Sequence, residues 1–402
     1  EAVYRFLIDP EPYQSLILDE SHNPPLAVPD GVDAVLLQQR QSFLRPDSLL
    51  AIFTITDEND CSVRDEYTQY YWVALNTPMA KATSHCQDPN HPCCTSCAQP
   101  SYPAGCDEPG APSSDINCQG GVFFEYGDDR DRFNVRCFDQ KRRFGIDFLH
   151  PVQRYIDGIE NLEVPNRSGQ MVPNPIYSDL QCDGGQCAGP RDRSFIFWVG
   201  IVGVPWQDVA VDPNDLGAGL MSGRQLADEG RWNVILGDPA SGVPPSDPHM
   251  VESITPRTGI NPITGDALLP PDTAAWNPIN GHERSITDGS DLQYACIFPL
   301  PTPRVCADGQ QNCDCRPEAD PAGTSNPLCQ AGPGTPAGTE QHHAKAYPSS
   351  RVLAVLAGLD PEQVVVSSIC PAQMSDDQAP DFGYRPVVPP LLDRIVRVLI
   401  PE

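Results

Sequence analysis

Lysine is nearly missing from this chain. Lys81, Lys141 and Lys345 are the whole complement, and the other basic residues are arginines, a bias typical of GC-rich coding and silent about function. Basic charge as a whole is scarce: 26 Lys and Arg against 54 Asp and Glu leave a net charge of −28 at pH 7. A field of that sign repels phosphate backbones, which excludes nucleic acid as a partner and leaves divalent cations and basic proteins admissible. Long apolar runs are also wanting. The longest, 195–206, holds 12 residues and is broken by two glycines, short of the ~20 needed to cross a bilayer. Catalytic signatures are missing too. There is no G-x-S-x-G elbow and no Walker A motif, His282-Glu283 lacks the second histidine of H-E-x-x-H, and Gly217-Ala218-Gly219 has no third glycine at dinucleotide spacing. Cys94-x-x-Cys97 is followed by Ala98 rather than histidine, so haem is not expected, and neither is a nucleotide. A dispersed catalytic triad leaves no such mark, so a secreted hydrolase stays open as a third reading.

Cysteine, by contrast, is plentiful. The sixteen cysteines (Cys61, Cys86, Cys93, Cys94, Cys97, Cys106, Cys118, Cys137, Cys182, Cys187, Cys296, Cys306, Cys313, Cys315, Cys329 and Cys370) suit eight disulfides and an oxidising compartment. The segment His85-Cys86 to His91-Pro92-Cys93-Cys94-Thr95-Ser96-Cys97 also has the ligand types of a zinc site. In an oxidising setting, disulfides are the better reading. Cys182 and Cys187 read as one small loop, and Cys313-Asp314-Cys315 is too short to close on itself. With 45 prolines and 31 glycines the chain carries about 19% of these two residues, against a usual ~12%. Its hydrophobic share of 40% is enough for a core, so long irregular excursions on an ordered scaffold are expected rather than disorder. No signal peptide is visible, and the chain opens on Glu1 in mid-helix grammar. The expectation is a mature or truncated extracytoplasmic chain, secreted or held at a bacterial outer-membrane surface.

Apolar residues gather in a few segments. Residues 2–8 read as the end of an amphipathic helix, and 33–43 as a short helix with Val35, Leu36 and Gln39 marking its turns. The continuous β-branched run 49–56 predicts a strand apolar on both faces, in the middle of a parallel sheet covered by helices. Residues 194–205 and 363–369 predict two more such strands, 351–359 a helix between them, and 388–400 a terminal amphipathic helix. Strands alternating with helices imply an α/β layer architecture. The scaffold is then 1–60, 193–206 and 346–402, with a Cys-rich insertion at 61–192 and a Pro/Cys-rich one at 207–345. Loops of that length need staples, which the cysteines supply.

The strongest chemical feature is the strand ending in Thr56-Asp57-Glu58-Asn59-Asp60. Ligands of open α/β sheets bind at the carboxyl ends of strands, and Mg²⁺ or Ca²⁺ takes oxygen ligands. Asp57, Glu58 and Asp60 are therefore candidate metal ligands, although such carboxylates also cap helices and turns. Asp128, Asp129 and Asp131 form a second acidic cluster, readable as a Ca²⁺ site or as a solvated turn with local arginine pairing. His342-His343 reads as a surface pair ahead of a helix, and Asn166-Arg167-Ser168 satisfies a glycosylation sequon.

The run FLRPDSLLAIFTITDENDCS (43–62) resembles the fourth strand of a von Willebrand factor type A domain, especially the Cys-rich versions of Gram-negative surface lipoproteins. The pieces ILGDP (235–239), MVESITPR (250–257), DLQYACIFPLP (291–301), AKAYPSSRVLAVLAGL (344–359), VVSSICP (365–371) and FGYRP (382–386) fit the same pattern. The resemblance implies a Rossmann-type doubly wound α/β sheet and a metal-ion-dependent adhesion site. Asp57 matches that site's fourth-strand aspartate. The Asp-x-Ser-x-Ser loop of the first strand has no counterpart here, which implies that the strands carrying it precede Glu1. The function expected is non-catalytic recognition of a protein partner, surface or matrix, at a bacterial surface, with a divalent ion bridging to the partner's carboxylate. The alternative is a structural subunit of an extracellular assembly or filament.

Overall fold

A computed structural model describes residues 1–21, 25–65, 77–182, 189–239, 241–271, 273–307, 312–316 and 326–400. In chain order the helices and strands are α1 (Ala2–Leu7), β1 (Ser15–Asp19), β2 (Leu26–Asp30), α2 (Ala34–Phe43), β3 (Leu50–Ile55), α3 (Gln140–Phe144), α4 (Val152–Glu160), β4 (Glu163–Pro165) and β5 (Met171–Pro173). They continue with β6 (Ile196–Val202), α5 (Trp206–Val209), β7 (Ala210–Asp212), β8 (Asp215–Leu220), α6 (Gly223–Asp228), α7 (Arg231–Leu236), β9 (Cys296–Val305), β10 (Glu340–Ala346), α8 (Ser350–Gly358), β11 (Val364–Ser368) and α9 (Val388–Leu399).

The three strands expected from the apolar runs form one sheet in the order β11-β6-β3, parallel throughout. β6 lies at its centre and is buried at every position. Gly200 lets α8 approach closely, since a Cβ there would stand 2.6 Å from Leu356 Cδ1. β3 departs from expectation. It is an end strand rather than a middle one, and no other strand pairs with its outer edge among the described residues. Leu50 and Ile52 point into the core, but Phe53 is 49% and Ile55 63% exposed. Among the described residues the sheet ends at β3, and the face of that strand carrying Phe53 and Ile55 is left open.

Among the described residues the parallel sheet has these three strands, which is the coarse α/β architecture expected. The rest of the β-structure consists of antiparallel two-stranded pairs: β1-β2, β4-β5, β7-β8 and β9-β10. His342 and His343 lie within β10, the strand that precedes α8, and both are half-buried rather than at the surface, with His343 5.4 Å from Trp276 between ring centroids. The main core also draws on both stretches assigned to insertions, through Tyr155, Ile159 and Ile176 in one and Val209, Leu226 and Ile235 in the other.

α1 packs against α4 through Tyr4 and Tyr155, edge to face at 6.1 Å. A Cβ on Gly158 would lie 2.9 Å from both Ile8 Cδ1 and the Tyr4 ring, which explains a glycine inside α4. α2 is N-capped by Asp33, whose carboxylate accepts from the Leu36 N–H at 2.9 Å. It is anchored less by apolar residues than by Arg40, 2% exposed, while Val35 and Phe43 face solvent. Arg40 donates from Nε to Phe6 O (2.6 Å) and from Nη2 to Arg5 O (2.8 Å). Those carbonyls end α1 and have no partner within it. Arg40→Met is therefore expected to lose about 1–3 kcal/mol in urea denaturation, because it strands two buried acceptors.

Seven disulfides are seen in full: Cys61–Cys137, Cys86–Cys94, Cys93–Cys106, Cys97–Cys118, Cys296–Cys370, Cys306–Cys313 and Cys315–Cys329. Cys182 is also disulfide-bonded, and Cys187, its expected partner, lies outside the described residues. The crowded cysteines of 86–97 are thus all in disulfides, leaving no thiolate for zinc. Cys313 and Cys315 each pair elsewhere, as their spacing requires. Among the described residues no helix is long and apolar enough to cross a membrane. In α9, Leu391 and Ile395 pack on the core, whereas Val388, Leu392, Val396 and Ile400 form an exposed stripe.

Candidate functional site

The carboxyl end of β3 divides its acidic run into two pairs. Asn59 and Asp60 serve the start of α8. The Asn59 side chain accepts from the Arg351 N–H at 3.0 Å and donates to Ser350 Oγ (2.9 Å) and Glu252 Oε1 (3.0 Å). Asp60 accepts from Ser62 Oγ at 2.5 Å and meets Arg351 Nε at 3.4 Å. Asn59 therefore caps, and Asp60 charge-matches, a helix that begins nearly three hundred positions later. The capping role weighed for the carboxylates thus falls to the neighbouring Asn59, on a helix far away in sequence.

Asp57 and Glu58 are exposed. The Asp57 backbone carbonyl accepts from the Tyr347 N–H at 2.8 Å, and the Glu58 carbonyl from Ser349 Oγ at 3.0 Å. The segment before α8 is thereby fastened to the strand end. Partial desolvation and the neighbouring Asp57 push the Glu58 carboxyl up to about 7, with Lys345 pulling the other way and Asp291 and Asp314 adding to the rise. Lys345 is itself engaged by Asp314 at 2.7 Å, and Tyr347 donates to Asp291 at 2.6 Å, where Arg284 also docks. The second insertion thus brings Asp291 and Asp314 to the strand end, a placement that tertiary structure alone decides. Asp57, Glu58 and Asp60 do not converge on one point.

The second acidic cluster is paired arginine by arginine. Asp128 takes a bidentate Arg130 (2.9 and 2.7 Å), Asp129 takes Arg132 (2.5 Å), and the buried Asp131 takes Arg136 (2.9 Å to each oxygen). Asp131 also accepts the Met79 N–H at 2.8 Å. The Arg130 hydrogen bonds hold the Asp128 carboxyl down at about 2. Such a turn is ordered by its own cations.

Among the described residues, one set does gather three metal-capable side chains, with ligand atoms within 4.8 Å of one another: Glu1, Asp65 and His150. They come from the start of α1, the chain beyond β3 and the approach to α4. Beside them lies a cavity of about 160 Å³, with apolar walls from Val3, Val152, Trp198, Val352 and Val355 and polar groups from Glu1, Asp60, Tyr155 and Arg351. A cavity of that size accepts a benzene-sized guest. Sequence reasoning missed the cluster because its members stand far apart in a chain rich in acids, and a single histidine is no motif.

No protein-family model, no curated protein and no solved structure matches this chain.

Proposed function

We propose that the chain is a non-catalytic, extracytoplasmic protein-binding module whose partner sits on the open side of β3. The observation that carries this is the end strand itself. Its outer edge has no partner strand among the described residues, and Phe53 and Ile55 stand exposed on one face. Proteins usually blunt such edges, because an unpaired apolar strand recruits other chains. Exposed apolar patches mark interaction surfaces, and strand addition is a common mode of recognition. The disulfides support an oxidising compartment. The parallel order of the sheet and Asp57 at a strand's carboxyl end support a von Willebrand A-like reading, in which Mg²⁺ or Ca²⁺ at Asp57 would bridge to the partner. A second reading, a structural subunit of a surface assembly, is favoured by the stripe of Val388, Leu392, Val396 and Ile400 on α9, a further face for a neighbour.

A photo-reactive residue at position 53 is expected to cross-link a partner when the protein sits in its native cell envelope. One at Tyr126, which is 81% exposed, is expected not to. Equal yields at the two positions, or none at 53, would overturn the proposal. Loss of the cross-link in EDTA would assign the contact to cation-dependent adhesion, and persistence to structural assembly.

A further inference from the structure

We propose that Glu1, Asp65 and His150 form a binding site for a transition-metal dication of the zinc class, separate from the carboxyl end of β3. The first observation is convergence, with three ligand atoms within 4.8 Å of one another. The second is independent of it. His150 is 8% exposed, and its Nε2 is buried without a hydrogen-bond partner. Buried polar atoms are rarely left so, and each instance calls for an explanation, a bound ion among them. The nearest carboxylate oxygen, Glu1 Oε2, stands 3.7 Å from Nε2. That is too long for a hydrogen bond and fits two ligands either side of an ion.

The surroundings are those of oriented ligands. Tyr155 Oη donates to Glu1 Oε2 at 3.2 Å, Arg154 Nη2 donates to Oε1 at 3.0 Å, and Tyr13 Oη donates to Asp65 Oδ1 at 3.1 Å. Arg154 takes up part of the Glu1 charge, which limits affinity without filling the space facing His150.

One imidazole nitrogen with two carboxylates suits Zn²⁺, Co²⁺ or Ni²⁺ better than Mg²⁺ or Ca²⁺, which prefer all-oxygen shells. The described cysteines are all disulfide-bonded, so they offer no thiolate to compete.

The test uses the full chain, stripped with EDTA, dialysed and titrated with ZnCl₂ by calorimetry, with Co²⁺ absorption as a second readout. One equivalent is expected to bind and to raise Tm. His150→Ala and Asp65→Asn should each weaken that binding at least tenfold and abolish the Co²⁺ spectrum, while Asp57→Asn leaves both unchanged. The Co²⁺ spectrum reports an imidazole ligand even if one variant folds poorly. The assignment fails if the wild type takes up no zinc, or if His150→Ala binds it as tightly, which would point to adventitious uptake at His85 and His91. It also fails if Ca²⁺ binds as well as Zn²⁺ with no dependence on His150.

Discussion

Glu283→Ala is expected to destabilise the second insertion by about 3–5 kcal/mol, the usual effect of removing one partner from a buried ion pair. Glu283 is fully buried and Arg257 is 8% exposed. Glu283 Oε2 accepts from the Arg257 backbone N–H (2.7 Å) and from Nε (3.0 Å), and Oε1 accepts from Nη2 (2.8 Å) and from Asn280 Nδ2 (2.9 Å). Arg257 spends its other donors on the carbonyls of His249 (2.8 Å), Val251 (3.0 Å) and Tyr294 (2.6 Å). All five guanidinium N–H groups are thus used, and four irregular segments are tied at one point. A region with little regular structure has no sheet ladder to organise it, so a saturated ion pair does that work instead. In Glu283→Ala the guanidinium keeps its charge in a dry site and loses its counter-ion. Hydrogen exchange should show residues 249–294 opening while β6 stays protected, and denaturation should show the loss directly. Replacing both partners with apolar residues of similar volume should recover much of it. A loss below about 1 kcal/mol for the single variant would mean that water reaches the pair.

None of this network was legible in the sequence. The scaffold was, in good part. The apolar runs became β6, β11 and β3, the 351–359 pattern became α8, and the oxidising setting separated disulfides from zinc ligation. Those features are local, set by periodicity and by redox chemistry. α4 is legible, since Val152, Tyr155, Ile156 and Ile159 repeat at helical spacing. β9 was harder. Its prolines at 299, 301 and 303 argue against a central strand, and it forms one side of an isolated two-stranded pair, where missing N–H groups can face away from the ladder. The middle-strand reading of β3 failed because burial on a second face depends on what packs there, which the strand's own residues do not encode. Glu283, Asp208 and Asp247 are three acids among 54, and only tertiary placement distinguishes them.

The opposite effect is expected at Asp208, where removing an ionisable group should stabilise the protein increasingly as pH rises. Asp208 lies in α5 just beyond the central strand, and its carboxyl meets that of Asp247, both wholly buried. Asp247 Oδ1 accepts from the His249 N–H (3.0 Å) and Nδ1 (2.8 Å), while Asp208 Oδ1 accepts from Asn261 Nδ2 (3.1 Å). The two Oδ2 atoms have no other donor, so one proton shared between them satisfies both. Burial and then the charge of Asp247 raise the Asp208 carboxyl well above the usual range. Burial raises Asp247 as well, but its hydrogen bonds from Asp208 and His249 and the nearby Arg257 favour its charged form. Asp208 is therefore the proton carrier.

The sign follows from linkage. Above about pH 4 the unfolded chain has given up a proton that the folded pair retains, so stability falls as pH rises, until the pair itself ionises. Burial of His249 lowers its imidazole to about 4, which acts in the opposite sense between about pH 4 and 6.5. Glu58, raised to about 7, acts in the same sense as the pair. Glu58 is present in wild type and variant alike and cancels in their difference, whereas His249 touches the pair, so the comparison is cleanest above pH 6.5. Asp208→Asn keeps a donor toward Asp247 and an acceptor for Asn261. It should match the wild type near pH 4 and gain up to about 1.4 kcal/mol per pH unit above it. Asp247→Asn should instead destabilise by about 1–3 kcal/mol, because an amide placed there meets the two His249 donors. Urea titrations of the three proteins from pH 4 to 8 decide the matter. A pH-independent difference, or the reverse ranking of the two variants, would sink the shared proton. If the ranking holds, the joint between the sheet's central strand and the second insertion is tightest in mild acid and loosens as that proton leaves.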